Sequence, residues 1–132
     1  MTLRLRTLFR ILLLCYLAAL AFLCFWHFKS LPDVPRTLWS IPMDKVVHFC
    51  MFLPFPILVY LAVDRYTVKP WHSILFALGV FLLGCLLAAG TELIQGMTAW
   101  RSKDPLDFRA DALALSISSL LVCIIDLAKQ KK

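Results

Sequence analysis

The fold is decided by the first long apolar run of the chain: residues 7–28 read TLFRILLLCYLAALAFLCFWHF. As a helix these 22 residues extend about 33 Å, enough to cross the roughly 30 Å hydrocarbon core of a bilayer. Arg4, Arg6 and Arg10 mark its beginning, and the first acid of the chain is Asp33. The run is long for a signal peptide and its end lacks a small-residue cleavage site. We therefore predict an uncleaved membrane anchor.

Three further apolar runs follow the anchor, at residues 44–63, 71–95 and 110–128. The first of them contains Pro54 and Pro56, and each proline removes a backbone donor and should bend the helix. The last run is the weakest, because acids near both of its ends leave a short apolar centre. The sequence therefore predicts four transmembrane helices.

The composition excludes a soluble or a disordered protein. The chain is 61% hydrophobic and 17% charged, whereas soluble domains are about 45–50% apolar and about 25% charged. The five cysteines all fall in predicted spans, so they are interpreted as packing residues and not as a disulfide framework. The prediction is a single all-α integral membrane domain over residues 1–132, with no nucleic-acid partner.

The cations predict the orientation of the four spans. An even number of spans places both termini on one side, where eight cations would lie against six on the other. The first set is Arg4, Arg6, Arg10, Arg65, Lys69, Lys129, Lys131 and Lys132, and the second is Lys29, Arg36, Lys45, Arg101, Lys103 and Arg109. The positive-inside rule then predicts that both termini are cytoplasmic.

Polar residues converge on the predicted outer ends of the last three spans. His48 lies one helical turn after Asp44, so the two share a face. Glu92 and Gln95 are three residues apart near the end of the third span, on the same face as the small residue Gly84, which lets a neighbouring helix approach closely. The set at this end is Asp44, His48, Glu92, Gln95, Arg101, Asp104, Asp107 and Asp111.

Several chemistries are open for this set. Asp, Glu and His are suitable ligands for a divalent metal, although no HExxH motif or cysteine pair is present. Arg101 is suited to hold a lipid-linked phosphate, while carboxylates bond hydroxyl groups or act as acid and base. A proton relay through Glu92 and His48 is the third possibility, but the inner half of the spans offers few polar residues for a pathway. Purely structural roles as helix-end charges, interfacial anchors and interhelical hydrogen bonds also stay open.

Three short motifs in this set resemble those of the VanZ-like membrane protein family. They are Asp44-Lys45-x-x-His48-Phe49, Glu92-Leu93-x-Gln95 and Arg101-x-x-Asp104-x-x-Asp107-x-x-x-Asp111. The likeness covers roughly residues 40–125, with the motifs in order and at the expected helix ends. Two positions depart from the family, which often has Asn in place of Asp111 and Gly in place of Ala114.

The resemblance implies a multi-pass protein of a bacterial cell membrane, in a family whose naming member is linked to glycopeptide resistance; it implies no reaction. We predict that the extracytoplasmic site binds or modifies an anionic envelope lipid or a lipid-linked glycan precursor, with a possible effect on glycopeptide susceptibility. The alternatives are a non-enzymatic accessory protein that packs on a larger membrane partner or on itself, and a small proton- or ion-coupled carrier. The candidate residues are Glu92, His48 and Asp107 for catalysis, Arg101, Gln95, Asp104 and Lys45 for substrate, and Asp44 and Asp111 for a divalent metal.

Overall fold

A computed structural model of the protein describes residues 3–25, 37–63, 69–99 and 104–130. Within these ranges the helices are α1 (Leu3–Phe25), α2 (Met43–Phe52), α3 (Phe55–Val63), α4 (Pro70–Gln95) and α5 (Pro105–Gln130). Four stretches are long and apolar enough to cross a membrane, and α2 with α3 forms one of the four. The predicted helical architecture with four candidate membrane spans is confirmed.

The second span is interrupted at its prolines. Helix α2 ends at Phe52 and α3 begins at Phe55, because Pro54 and Pro56 have no N–H to donate to the preceding turn. The hydroxyl of Tyr16, on α1, donates a hydrogen bond to the carbonyl of Met51 beside this break. The helix is thus interrupted at the two prolines, and α1 supplies a donor to the carbonyl of Met51.

Helix α5 begins earlier than predicted. Its first residue is Pro105 and not residue 110, because proline suits a first helical turn and Asp104 precedes it. Asp104 Oδ1 accepts the N–H of Leu106 at 2.9 Å, as an N-cap side chain does. Asp107 and Asp111 therefore lie one turn apart on the helix itself. Helix α1 likewise begins at Leu3, so its arginines lie on the helix and not ahead of it.

A small hairpin precedes α2. Strands β1 (Thr37–Leu38) and β2 (Ile41–Pro42) pair in antiparallel fashion, and Trp39 and Ser40 connect them with φ angles of 46° and 68°. Residues 29–43 link the first two predicted spans, and residues 29–36 of this link lie outside the described residues. The hairpin was missed because a Trp-Ser pair lacks the Asn-Gly signal of a left-handed turn.

The helices pack through α5 and through small residues of α4. Helix α5 contacts α2, α3 and α4, while α1 packs on α3. Gly84 allows the closest approach, since a Cβ built there would lie 2.5 Å from Leu115 Cδ2 and 3.2 Å from Phe55 Cδ1. The predicted close-packing face of α4 is confirmed as buried; it consists of Gly84, Ala88, Thr91, Glu92 and Gln95.

Contacts between helices define two polar ends of the bundle. Helices α2 and α5 begin, and α4 ends, at the motif end, which we define by His48, Glu92 and Asp107. Tyr60 and Ser73 both contact Asp126 at the other end, which we call the opposite end. The alternating spans thus bring the three motifs together, as the sequence predicted.

Candidate functional site

Most of the predicted site residues meet at the motif end. Helix α2 supplies Lys45 and His48, α4 supplies Glu92, and α5 supplies Asp107 and Asp111. The contacts join residues about 60 positions apart in the chain. The cluster is therefore a product of the tertiary fold and not of one helix.

Lys45 is surrounded by three carboxylates. Its Nζ lies 2.7 Å from Asp44 Oδ2 and 2.5 Å from Asp107 Oδ1, and it also pairs with Asp104. Only 12% of the Lys45 side chain is exposed, and of its three partners Asp107 is the buried one, since Asp44 and Asp104 are 51% and 38% exposed. The ammonium group joins the start of α2 to the start of α5.

Asp104 is the carboxylate of this group that precedes α5, a candidate membrane span. The neighbouring Lys45 ammonium holds the pKa of Asp104 below its ordinary value, and the N–H of Leu106 acts in the same direction. A lowered folded-state pKa means that this interaction stabilises the fold above the ordinary carboxyl pKa. The stabilisation is lost as the pH falls through the lowered value.

His48 lies between two aspartates of α5. Its Nδ1 is 3.2 and 3.3 Å from the two carboxylate oxygens of Asp111, and its Nε2 is 3.6 Å from Asp107 Oδ2. Asp111 is fully buried. A proton on Nδ1 is therefore donated to Asp111, which fixes the ring with Nε2 towards Asp107.

Glu92 joins the polar cluster to an apolar cavity. Its side chain is 9% exposed, and within the described part of the chain Oε1 has no hydrogen-bond partner. The cavity next to it has a volume of about 370 Å³ and is lined by Glu92 together with Ala89, Leu93, Pro105 and Phe108. The backbone N–H of Asp104 donates to the Glu92 carboxylate, but Oε1 is left without a donor, which is costly for a buried carboxylate oxygen.

Gln95 stands apart from this cluster. Gln95 Nε2 donates a 2.9 Å hydrogen bond to the carbonyl of Cys24, which ties the end of α4 to the end of α1. Arg101 lies outside the described residues, so its assignment to a phosphate stays a prediction from the motif.

Two groups at the motif end have the composition of a metal site. In each, the potential ligand atoms of three residues lie within 4.8 Å of one another. One group is His48, Glu92 and Asp107, and the other is Asp44, Asp104 and Asp107. The second already surrounds the Lys45 ammonium, so the first is the better candidate.

The opposite end holds a second buried polar cluster, which the sequence did not reveal. Tyr60 and Ser73 donate to the two oxygens of Asp126 at 3.0 and 2.7 Å, and Gln130 donates to Ser73 at 2.6 Å. The expectation of few polar groups in this half was therefore wrong. Asp126, an acid at the end of an apolar run, was the one residue that indicated such a cluster. Its partners could not be predicted, because the residues lie on three separate helices and share no local sequence spacing.

All five cysteines are free thiols, and all lie in described helices. Cys24 is buried, whereas Cys15 and Cys50 are exposed. No protein-family model, curated protein or solved structure matches the chain. The resemblance to the VanZ-like family rests on its three motifs.

Proposed function

We propose that the protein binds an anionic envelope lipid, or a lipid-linked glycan precursor, at the motif end. The observation that carries the proposal is the position of Glu92, which belongs both to the buried polar cluster and to the lining of the apolar cavity. A ligand of this class has a polar head attached to an apolar tail. Its head would lie against the cluster, and part of its tail would occupy the cavity of about 370 Å³.

The charges of the cluster restrict how a head group is held. The described part of the motif end holds five carboxylates, of which three contact the ammonium of Lys45, so an anionic group needs further cations nearby. We assign this role to Arg101, whose guanidinium can hold a phosphate through two parallel hydrogen bonds. The carboxylates accept hydrogen bonds from the hydroxyl groups of a sugar or glycerol.

The same geometry suits proton transfer to a bound head group. In the enzymatic form of the proposal, Glu92 is the acid–base group, since no described donor occupies its Oε1. His48 transfers protons from Nε2 and is oriented by Asp111 at Nδ1. Asp107 positions His48 and Lys45 with its two oxygens.

Photo-crosslinking tests the lipid proposal directly. The purified protein is placed in phosphatidylcholine nanodiscs, and photoreactive polyprenyl phosphate or phosphatidylglycerol is added. We expect Glu92→Gln to weaken labelling because it removes a head-group contact, and Ala89→Phe to weaken it because the ring fills the cavity. The matched control is Ser116→Phe, which places the same ring in a different cavity lined by α4 and α5 and should leave labelling unchanged.

The outcome also distinguishes the accessory-protein alternative. Wild-type labelling of both variants at the motif end overturns the lipid proposal. If the same variants instead lower thermal stability in detergent, the polar cluster serves the bundle itself. A carrier ranks lower, because the buried residues of α5 between Asp111 and Asp126 are apolar or serine, such as Leu115, Ser118 and Val122, and their side chains do not titrate at ordinary pH.

We further propose that both termini are cytoplasmic and that the motif end faces outwards. The test is cysteine labelling in a cysteine-free background with a membrane-impermeant maleimide. Met97→Cys, at an 84% exposed position, should react in intact cells, and Lys129→Cys only after permeabilisation. The reverse pattern would place the site in the cytoplasm.

A further inference from the structure

Three helices each bring one potential metal ligand to the same point at the motif end. These are His48 of α2, Glu92 of α4 and Asp107 of α5, and their ligand atoms lie within 4.8 Å of one another. All three residues are more than nine-tenths buried. An imidazole with two carboxylates is a donor set that binds divalent transition metals.

The separation of the first pair of ligands suits a shared ion. His48 Nε2 and Asp107 Oδ2 are 3.6 Å apart, which is too long for a good hydrogen bond. Two ligands that each lie about 2.0–2.2 Å from a tetrahedral zinc ion are about 3.3 to 3.6 Å apart. The two atoms already have the spacing that one ion requires.

Glu92 supplies an independent observation. Its carboxylate is buried, and in the described ranges no donor reaches Oε1. Metal coordination is one of the few ways to compensate a buried carboxylate. An ion placed between His48 and Asp107 would therefore draw the Glu92 side chain inwards without breaking a hydrogen bond of that oxygen.

Neighbouring side chains hold two of the three ligands in place. Asp111 accepts from His48 Nδ1, and this arrangement of carboxylate, histidine and metal is common because it fixes the tautomer that coordinates. Lys45 contacts Asp107 through Oδ1, which leaves Oδ2 directed at His48. The adjacent group of Asp44, Asp104 and Asp107 is filled by the Lys45 ammonium.

We propose that His48, Glu92 and Asp107 bind a divalent transition-metal ion of the zinc class, with Asp111 as a positioning residue. Three protein ligands leave a fourth position open to water or to an oxygen of a bound phosphate. The site thereby adds positive charge where carboxylates are in excess. The ion is held by protein groups alone, so this proposal does not depend on lipid binding. It replaces the enzymatic form given above, because His48 Nε2 and the Glu92 carboxylate cannot both coordinate an ion and transfer protons.

Metal titration of the purified full chain tests this proposal. Chelator-treated protein in detergent is titrated with Zn²⁺ by calorimetry, and Co²⁺ binding is followed by visible absorption. We expect one ion per chain, no saturable binding by Glu92→Gln or His48→Gln, and affinity lowered by about 10–100-fold in Asp111→Asn. The matched controls at the opposite end, Asp126→Asn and His72→Gln, should bind as the wild type does.

A second variant keeps the test decisive if a substitution disturbs folding. In His48→Cys, a ligating thiolate adds a near-ultraviolet charge-transfer band to the Co²⁺ spectrum, whereas a residue that does not ligate adds none. Absence of this band in folded protein overturns the proposal, as does wild-type affinity in Glu92→Gln. Loss of binding in Asp44→Asn with retention in Glu92→Gln would place the ion in the Lys45 group and also overturn it.

Discussion

Replacing Lys45 by methionine is expected to lower the free energy of unfolding by about 3 kcal/mol. The ammonium lies 2.5 Å from Asp107 Oδ1, and Asp107 is buried. Methionine keeps most of the volume but leaves this carboxylate without its cation and next to Asp44 and Asp104. Because two of the three partners are partly exposed, we expect the lower end of the range for breaking a buried ion pair. Reversible unfolding in mixed micelles measures the change.

The control for Lys45 is Lys129→Met at the opposite end. Lys129 Nζ lies 4.8 Å from the centre of the Tyr60 ring, a cation–π contact worth about 0.5–1 kcal/mol at an exposed site. The double variant Lys45→Met with Asp107→Asn should recover part of the stability, since it removes the unpaired charge. Equal losses in Lys45→Met and Lys129→Met would show that the Lys45 ion pairs contribute little.

Replacing Gly84 by leucine is expected to destabilise the bundle by about 3 kcal/mol, the upper part of the usual range for overpacking. A Cβ at this position already lies 2.5 Å from Leu115 Cδ2 and 3.2 Å from Phe55 Cδ1. Leu115 is fully buried, so its side chain cannot move away into lipid. Helices α4 and α5 must then separate, and thermal unfolding in detergent should report this.

Gly79→Leu is the matched control for Gly84→Leu. A Cβ at Gly79 meets no atom within 4 Å, so this variant should retain wild-type stability or gain a little from better helix propensity. Leu115→Ala combined with Gly84→Leu should recover part of the loss, because it vacates the space that the new side chain needs. If Gly79→Leu and Gly84→Leu are equally stable, close packing at Gly84 is not important.

The architecture was predictable because each of the four runs is mainly apolar over about the length that a bilayer requires. The buried face of α4 was also predictable, since Gly84, Glu92 and Gln95 repeat at helical spacing. The partner of each residue on that face was not predictable. Gln95 shares the face with Glu92 but donates a hydrogen bond to the carbonyl of Cys24 on α1. Helical periodicity identifies a face, whereas the neighbour of that face depends on how all the helices assemble.

Two other features were hidden for local reasons. The Trp39-Ser40 turn has positive φ angles without the residues that usually adopt them, so only the paired strands reveal it. The hydrogen bonds of Tyr60 and Ser73 to Asp126 join three helices, and no motif records such a contact. In contrast, Asp107 and Asp111 could be placed on one face because their spacing of four is local.

The buried acids of α5 have a consequence for how the helices are aligned along the axis of the bundle. Apolar side chains alone do not fix how far one helix is shifted along another, because lipid tails are as apolar as the helices. Asp111 and Asp126 lie about 22 Å apart along α5 at about 1.5 Å per residue, and each has partners on other helices. Slippage of α5 by one turn, about 5.4 Å, would separate both acids from those partners at once. The hydrogen bonds of Asp111 and Asp126 at the two ends therefore allow only one position of α5 along the axis of the bundle.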